Sequence, residues 1–452
     1  MSDLLGDMIL QQKNWNMVRK PSPRISGSCR RSQEEWGLTF KSGRESINTA
    51  LKSFESLKIL TSWGEPYEIG FANGKQAGPS IRTNLWNFWA ALDEAGLSRG
   101  WVVEKMNRCG NLNEDFTDEI RGMARGAGVS FRDLVAFNLG RSLLLPDECT
   151  MLMAFGDSTS SGNTLYLKNS DKVGGASLVG EKYYKNKEIN VIRIEKFENG
   201  RRLVGVSAAG ELGIKMGIND KGVASGSNIA RTSELKMKKI SLTQVRALDR
   251  AEILRNGLRY DNALAAAEWA LKEVLASPMA TPGNVHFVDA VSGYLIEGSY
   301  DRAAVQHLER GVAARANAFV ILRELNDTED ISSQARYARA SGLLNDNKGQ
   351  LTMEKMIEFS RDHVNGPGMN SICRHDENPA NETSLSAAVM EIDRTDQSLS
   401  RIQIALGKPC HAWNNADGHI TISTRVDPED IPDDFENGAT WKKHYTEVPL
   451  DK

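Results

Sequence analysis

The sequence predicts a layered α+β sandwich. Three observations carry that expectation. Short apolar runs split by turn residues fill 150–229 and return at 285–298 and 384–407; helical apolar stripes precede and separate them; no repeat or low-complexity linker divides the two kinds of segment. Sheets built from such strands need helices on both outer sides. A chain of 452 residues can bury a large core, and length alone suggests roughly two to three domains.

Residues 1–58 are polar, broken at Pro21-Ser22-Pro23, and are expected to form an extension with partial helix. From residue 62 the pattern is helical. Ile81, Leu85, Phe88, Trp89 and Leu92 share one face. In "NEDFTDEIRGMARGAG", Asn113 is the expected N-cap, Phe116, Ile120 and Met123 the stripe, and Gly126/Gly128 the end. A further helix starts with Ser130 and Asp133 in capping-box register and is expected to stop at Gly140. Then the period changes. "TMLMAF" and "NTLYLKN", joined by "GDSTSSG", predict a β-hairpin, and two more hairpins are expected around Asn199-Gly200 and Asn219–Gly222. Two helices follow, the second over 261–276, then a hairpin in "VHFVDAVSGYLIEGS", helices near 331–344 and 352–364, and two long strands in "SLSAAVMEIDRTDQSLSRIQIALG".

Composition excludes several classes. With 25% charged residues and a net charge of −3, the chain offers no concentrated basic patch for nucleic acid or an anionic membrane. No apolar run of about 18 residues suggests a membrane span, and no signal-type h-region opens the chain, so a cytoplasmic location is expected. The cysteines, Cys29, Cys109, Cys149, Cys373 and Cys410, are widely spaced and odd in number, and the seven histidines show no H-E-x-x-H. Neither a disulfide framework nor a metal is expected. Cys373 and Cys410 read as core residues; His363 and His375, flanking a Gly-Pro-Gly loop, could face the site but read rather as structural histidines. "GDSTSSG" misses a serine-hydrolase elbow at Ser160, and Ser233-x-x-Lys236 lacks a K-T-G partner.

Cys149 stands apart because it opens a hairpin at the point where helices give way to strands. A thiol becomes a nucleophile when a base takes its proton. If the Glu148-Cys149 bond is broken, the new α-amine, with a pKa of about 8, is such a base on the nucleophile's own residue. A carboxylate at the end of the returning strand then lies beside it, and Asp171 has that place.

These residues belong to ordered blocks. "PYEIGFANGKQAG", "EIRGMARGAGVSFRDLVAFN", "CTMLMAFGDSTSSGNTLYLKNSDK", "GIKMGINDKGVASGSN", "SSQARYARASGLL" and "SICRH" occur in that sequence between about 62 and 413. Together they resemble the acyl-coenzyme A:6-aminopenicillanic-acid acyltransferase (isopenicillin-N acyltransferase) family of self-cleaving N-terminal-nucleophile hydrolases. The resemblance implies a four-layer αββα sandwich with a helical N-terminal pro-segment. It divides the chain into an extension (1–58), a pro-segment that becomes the α chain (59–148) and a catalytic core that becomes the β chain (149–452), with the two chains staying together. It further implies an amidohydrolase or acyltransferase working on a small-molecule amide or acyl thioester. No cofactor is expected, a coenzyme A thioester being an acyl-donor substrate that the resemblance admits.

By the same resemblance Cys149 is the nucleophile and Asp171 the acid that binds its α-amine. Asn317, in "RANAFVI", is the oxyanion donor, a contact worth about 3–4 kcal/mol in comparable sites. Arg374, in "SICRH", is the arginine that fixes the acyl group, with Arg336 in "SSQAR" as its competitor. Three positions depart from the family. Glu148 replaces a small residue and must find room in a strained cleavage loop; Lys168 stands where related bile-salt and penicillin V hydrolases and acid ceramidase carry an arginine; and Ala318 follows the asparagine where histidine is common. Lys168 and Arg336 remain candidates for substrate binding. These departures motivate an alternative, an unprocessed, non-catalytic member used as a binding or scaffold protein.

Overall fold

The structure, a computed structural model, describes Val18–Arg19 and residues 57–431 apart from 95, 110–112, 145–146, 173–187, 233–249, 277–281, 301, 328–329 and 376–383. The partial helix expected in 1–58 lies outside the described residues.

Two sheets pack face to face. The first has nine strands in the order β1 (Val18–Arg19), β11 (Arg302–Leu308), β10 (Gly293–Gly298), β9 (Gly283–Val288), β8 (Ala224–Ile229), β7 (Met216–Asn219), β6 (Arg202–Ala208), β5 (Asn190–Phe197) and β2 (Ile59–Gly64). The second has six: β12 (Gly311–Arg315), β3 (Asp147–Phe155), β4 (Thr164–Lys172), β13 (Ser384–Ile392), β14 (Arg401–Leu406) and β15 (His419–Ser423). Only β2 and β5 pair in parallel among the described strands.

Strand alternation explains the continuous apolar runs. On β3, Met151, Met153 and Phe155 join the core between the sheets, with Ile192, Val206 and Met216 from the opposite sheet. Leu152 and Ala154 point the other way, against α7 (Ile331–Asp346), α8 (Met353–Ser360) and α9 (Pro409–Ala412), through Leu344, Met356 and Trp413. Both faces are covered, so period-two polarity disappears from the sequence. On the outer face of the nine-stranded sheet lie α1 (Pro66–Glu94), α2 (Arg99–Cys109), α3 (Glu114–Ala127) and α4 (Phe131–Leu144), joined by α5 (Arg250–Gly257) and α6 (Ala263–Ala276). The result is the four-layer αββα sandwich.

Local signals held where their chemistry was local. Asn113 caps α3 by accepting from Phe116 N at 2.8 Å, and Gly128 ends it at φ 66°. Gly140 does not stop α4, which continues to Leu144; a helix tolerates a glycine at a cost near 1 kcal/mol when packing supports it. The second of the late helices ends at Ser360, short of 364.

Residues 59–144 are built into the sheet they cover. Strand β2 extends the nine-stranded sheet, and Glu119 of α3 forms buried ion pairs with Arg193 of β5 (3.2 Å) and Arg255 of α5 (2.7 Å). The α1–α3 contact depends on glycines. A Cβ on Gly70 would stand 2.0 Å from Glu119 O, and one on Gly122 2.1 Å from Tyr67 O, so the two backbones touch where side chains would otherwise intervene.

Gly122→Ala should therefore force α1 and α3 apart and lower stability by roughly 1–3 kcal/mol, as overpacking does. Gly342→Ala in α7, with nothing within 4 Å of its Cβ, should be neutral or stabilising by up to about 1 kcal/mol. Thermal unfolding of the two variants beside the parent measures the contrast; equal losses would remove the packing explanation.

Candidate active site

The site forms at the start of β3. Register pairs Cys149 with Ser170 and Glu148 with Asp171, while β13 brings Ser384 opposite Asp171. Opposed residues of antiparallel strands share a face. Glu148, Asp171 and Ser384 accordingly point toward the α7–α9 layer, and Cys149 points between the sheets with Lys168 and Tyr166. The hairpin thus sets Asp171 beside the Glu148-Cys149 peptide, as its length suggested.

Glu148 does not occupy a loop. It is a regular strand residue, 3% exposed, and its carboxylate is caged by three guanidinium groups. Arg374 Nη1 donates to Oε2, Arg231 Nε donates to Oε1 at 2.7 Å, and Arg336 Nη2 reaches Oε2 at 3.4 Å. Burial alone would raise its pKa. The charges of Arg374, Arg231 and Arg336 outweigh burial and hold it far below the glutamate range. Room for Glu148 is thus made by charge rather than by a strained bend.

Asp171 is fully buried, and burial pushes its carboxyl up against the opposing pull of Arg374 and Arg336. Its Oδ1 accepts from Ser384 Oγ at 2.6 Å. Its Oδ2 lies 3.7 Å from Arg374 Nη1 and accepts no hydrogen bond. Ser384 Oγ also accepts from the Arg374 backbone N–H at 2.9 Å, so one hydroxyl ties the arginine's loop to the aspartate.

Asn317 is in contact with the Cys149 backbone. Its Oδ1 accepts from Cys149 N at 3.2 Å and from Arg336 Nη2 at 2.8 Å, while its Nδ2 donates to Ile229 O at 3.0 Å. Those three partners fix the amide's orientation. It is the oxygen, not the nitrogen, that faces Cys149 in this state. Arg336 additionally donates to Cys149 O at 2.8 Å and Thr150 Oγ1 at 3.0 Å, and burial with the Arg374 charge pulls its pKa down to about 10. Arg336 and Arg374 do not compete for one place; both guanidinium groups are there.

Lys168 donates to Lys215 O at 2.6 Å between the sheets. Nearby, Tyr166 Oη is 3.2 Å from His286 Nδ1. Burial and the adjacent Cys149 drive the Tyr166 pKa up, and burial with Arg315 and Lys168 keeps His286 neutral.

Sequence reasoning missed Asn228, Arg231 and Ser384. Asn228 Nδ2 donates to Cys149 O at 3.2 Å, and the "GSN" that ends "GIKMGINDKGVASGSN" was its one available signal. The structure also gathers residues expected to be independent. His363, Cys373, His375 and Cys410 place four potential ligand atoms within 4.8 Å of one another.

Residues 158–400 match the family model for acyl-coenzyme A:6-aminopenicillanic acid acyl-transferase, a span that holds Asp171, Asn317, Arg336 and Arg374. An uncharacterized protein of Archaeoglobus fulgidus is 22% identical over 344 residues; the match covers 66% of this chain and 56% of that protein, so the chain spans about half the length of its curated relative. Among solved structures, an N-acylethanolamine-hydrolyzing acid amidase ortholog of Caenorhabditis elegans is 16% identical (54% of this chain, 92% of that one, TM-score 0.33). Penicillin V acylase from Agrobacterium tumefaciens is 12% identical (62% and 88%, TM-score 0.37), and a variant of the conjugated bile acid hydrolase from Clostridium perfringens is 11% identical (62% and 97%, TM-score 0.33). Among the described residues, no helix is long and apolar enough to cross a membrane.

The cage makes a pH-dependent prediction. A carboxyl whose folded pKa is depressed stabilises the fold above its unfolded pKa, about 4.3, and that contribution is lost as pH falls through the folded value. In chains carrying Cys149→Ala, adding Glu148→Gln should cost about 3–5 kcal/mol at pH 7, because three guanidinium groups lose their anion. The gap should start to close only below about pH 4.3. Denaturant titrations at several pH values measure it, and a gap that is small at pH 7 would refute the cage as a stabilising element.

Proposed function

Because the chain belongs to the acyl-coenzyme A:6-aminopenicillanic acid acyl-transferase family, we propose that it is a self-processing cysteine enzyme that hydrolyses an amide or transfers its acyl group through an acyl-Cys149 intermediate. Amide hydrolysis or acyl transfer is the chemistry that membership supports. The observation that supports the finer reading is the setting of the Cys149 nitrogen. Asn317 Oδ1 already accepts from it, and the register leaves Asp171, whose buried Oδ2 accepts no hydrogen bond, beside the peptide it belongs to.

In the proposed maturation, Cys149 Sγ attacks the Glu148 carbonyl carbon. The Glu148-Cys149 C–N bond breaks, the nitrogen takes up a proton, and a thioester joins Glu148 to Sγ. Water hydrolyses that thioester, leaving a Glu148 carboxylate, a free thiol and the α-amine. In turnover the amine accepts the thiol proton, held by Asp171 and Asn317. Sulfur attacks the substrate carbonyl, the leaving group departs with the proton, and water or an amine acceptor resolves the acyl-thioester. The oxyanion role expected of Asn317 requires its Nδ2 to exchange Ile229 O for the substrate oxygen. The pro-segment, tied through Glu119 to Arg193 and Arg255, stays bound after the cut.

Substrate preference follows from charge. Cleavage frees Glu148 to withdraw, and the buried Arg374 guanidinium left facing Asp171, with the more exposed Arg231 beside Asp330, calls for another anion. Sγ and N of one cysteine are near neighbours, so an acyl group on sulfur remains within reach of the cage. A glutaryl group carries its carboxylate at the same carbon spacing from the carbonyl as the Glu148 side chain does. We assign the acyl pocket to groups of that kind.

One observation favours the alternative, an intact binding protein: the cage stabilises the uncut chain. Intact-mass measurement of fresh protein separates the readings. Processing predicts fragments 1–148 and 149–452 in the parent and a single chain in Cys149→Ala; an uncut parent whose Cys149 resists an electrophile would support the alternative, and a cut Cys149→Ala would exclude the mechanism. With processed enzyme, glutaryl amides should exceed valeryl amides of the same amine by about 10- to 100-fold in kcat/KM, as befits one charged hydrogen bond. Arg231→Met should erase that ratio while sparing the neutral substrate; no preference in the parent would remove the anionic pocket.

A further inference from the structure

We propose that His363, Cys373, His375 and Cys410 bind one zinc ion that fixes the loop presenting Arg374. No metal is expected from the sequence, because its cysteines are widely spaced and its histidines show no H-E-x-x-H; these four residues are 10, 2 and 35 positions apart. Tertiary structure removes that objection. His363 follows α8, Cys373 and His375 sit on the returning limb of the Gly-Pro-Gly loop, and Cys410 lies in α9.

The donor spacing is close to that of a tetrahedral Cys2His2 site. Zinc at 2.3 Å from sulfur and 2.0–2.1 Å from nitrogen sets ligand–ligand edges of about 3.3–3.8 Å. Here His375 Nε2 is 3.2 Å from Cys410 Sγ and 3.8 Å from Cys373 Sγ, and all four ligand atoms fall within 4.8 Å. The His363 ring stands edge-on to His375, centroids 4.8 Å apart, and its buried Nε2 has no hydrogen-bond partner. Two thiolates with two imidazoles in a tetrahedron select zinc over the oxygen-seeking cations. All positions are filled by protein, so the site is structural and leaves no place for substrate.

Its consequence for the active site is positional. Cys373 and His375 flank Arg374, whose guanidinium reaches Glu148 and Asp171. An ion bridging the loop, the Cys373–His375 limb and α9 would hold that guanidinium without touching substrate.

The test uses the full chain, purified without a metal-affinity tag, and holds whether or not the Glu148-Cys149 bond is cut. Elemental analysis by plasma mass spectrometry should find about one zinc per chain, as one tetrahedral site requires. Cys410→Ser and His363→Ala should each lose most of it while keeping the parent's near-ultraviolet circular dichroism. Should either variant fail to fold, cobalt(II) uptake by the parent decides, through thiolate-to-cobalt charge-transfer absorption. No zinc as purified with none taken up on addition, full zinc in both variants, a cobalt complex without thiolate bands, or a Cys373–Cys410 disulfide in its place would each overturn the proposal.

Discussion

A carboxylate sealed among three guanidinium groups is the constraint around which this molecule is arranged. Burying a charge is costly unless partners compensate it, and Glu148 takes its partners from three separate places. Arg231 follows the end of β8 in one sheet, Arg336 comes from the α7 layer, and Arg374 from an irregular segment between α8 and β13. Their convergence requires both sheets and the outer helices to be stacked in one way. The same guanidinium groups touch Asp171, Asn317 and the Cys149 carbonyl. Stability and site geometry are therefore properties of one cluster.

The pleat divides labour around that cluster. Glu148 and Asp171 face the helices, whereas Cys149 faces the space between the sheets, where Tyr166 lies beside it and is itself 3.2 Å from His286 Nδ1. The Cys149 backbone is held from both sides. Asn317 grips its nitrogen, and Arg336 and Asn228 grip its carbonyl. A residue held so firmly on both backbone groups can have its preceding bond cut without moving. The proposed role of Cys149, a nucleophile that becomes a chain terminus, would need such a grip.

What was legible in the sequence was what a few consecutive residues decide. The Asn113 cap and Gly128 stop are local hydrogen bonding and local φ, and the hairpins announce their turns. The distance from Cys149 to Asp171 sets a register that the fold respects. Gly140 misled because glycine's helix cost is small beside the packing of α4. Strand β2 was invisible as a sheet member, since a parallel partner more than a hundred residues away leaves no pattern in either segment. The Arg231 guanidinium, the Asn228 amide and the Cys2His2 grouping were invisible for the same reason. Each is ordinary in sequence and acquires chemistry from residues that the fold alone brings near.

Arg374 shows how such distant residues are kept in place. Its segment has no regular secondary structure, so neither helix nor strand fixes its side chain. Instead Asn169 Nδ2 donates to Ser360 O at 2.8 Å and Ile372 O at 3.0 Å, holding the two limbs of the loop to β4. Cys373 N donates to Asp362 O at 3.2 Å, and Ser384 Oγ accepts from the Arg374 N–H and donates to Asp171 Oδ1. Every one of these bonds starts from the sheet or from the loop itself. None reaches α9, the element on the loop's far side, where Cys410 meets His375. Toward α9 the links are of another kind, a His375 Nε2–Cys410 Sγ contact at 3.2 Å and a hydrogen bond from Trp413 Nε1, just beyond the helix, to Ser360 Oγ at 2.9 Å. The side facing α9 is where a second anchor has the greatest leverage on Arg374, and it is there that two thiols and two imidazoles converge.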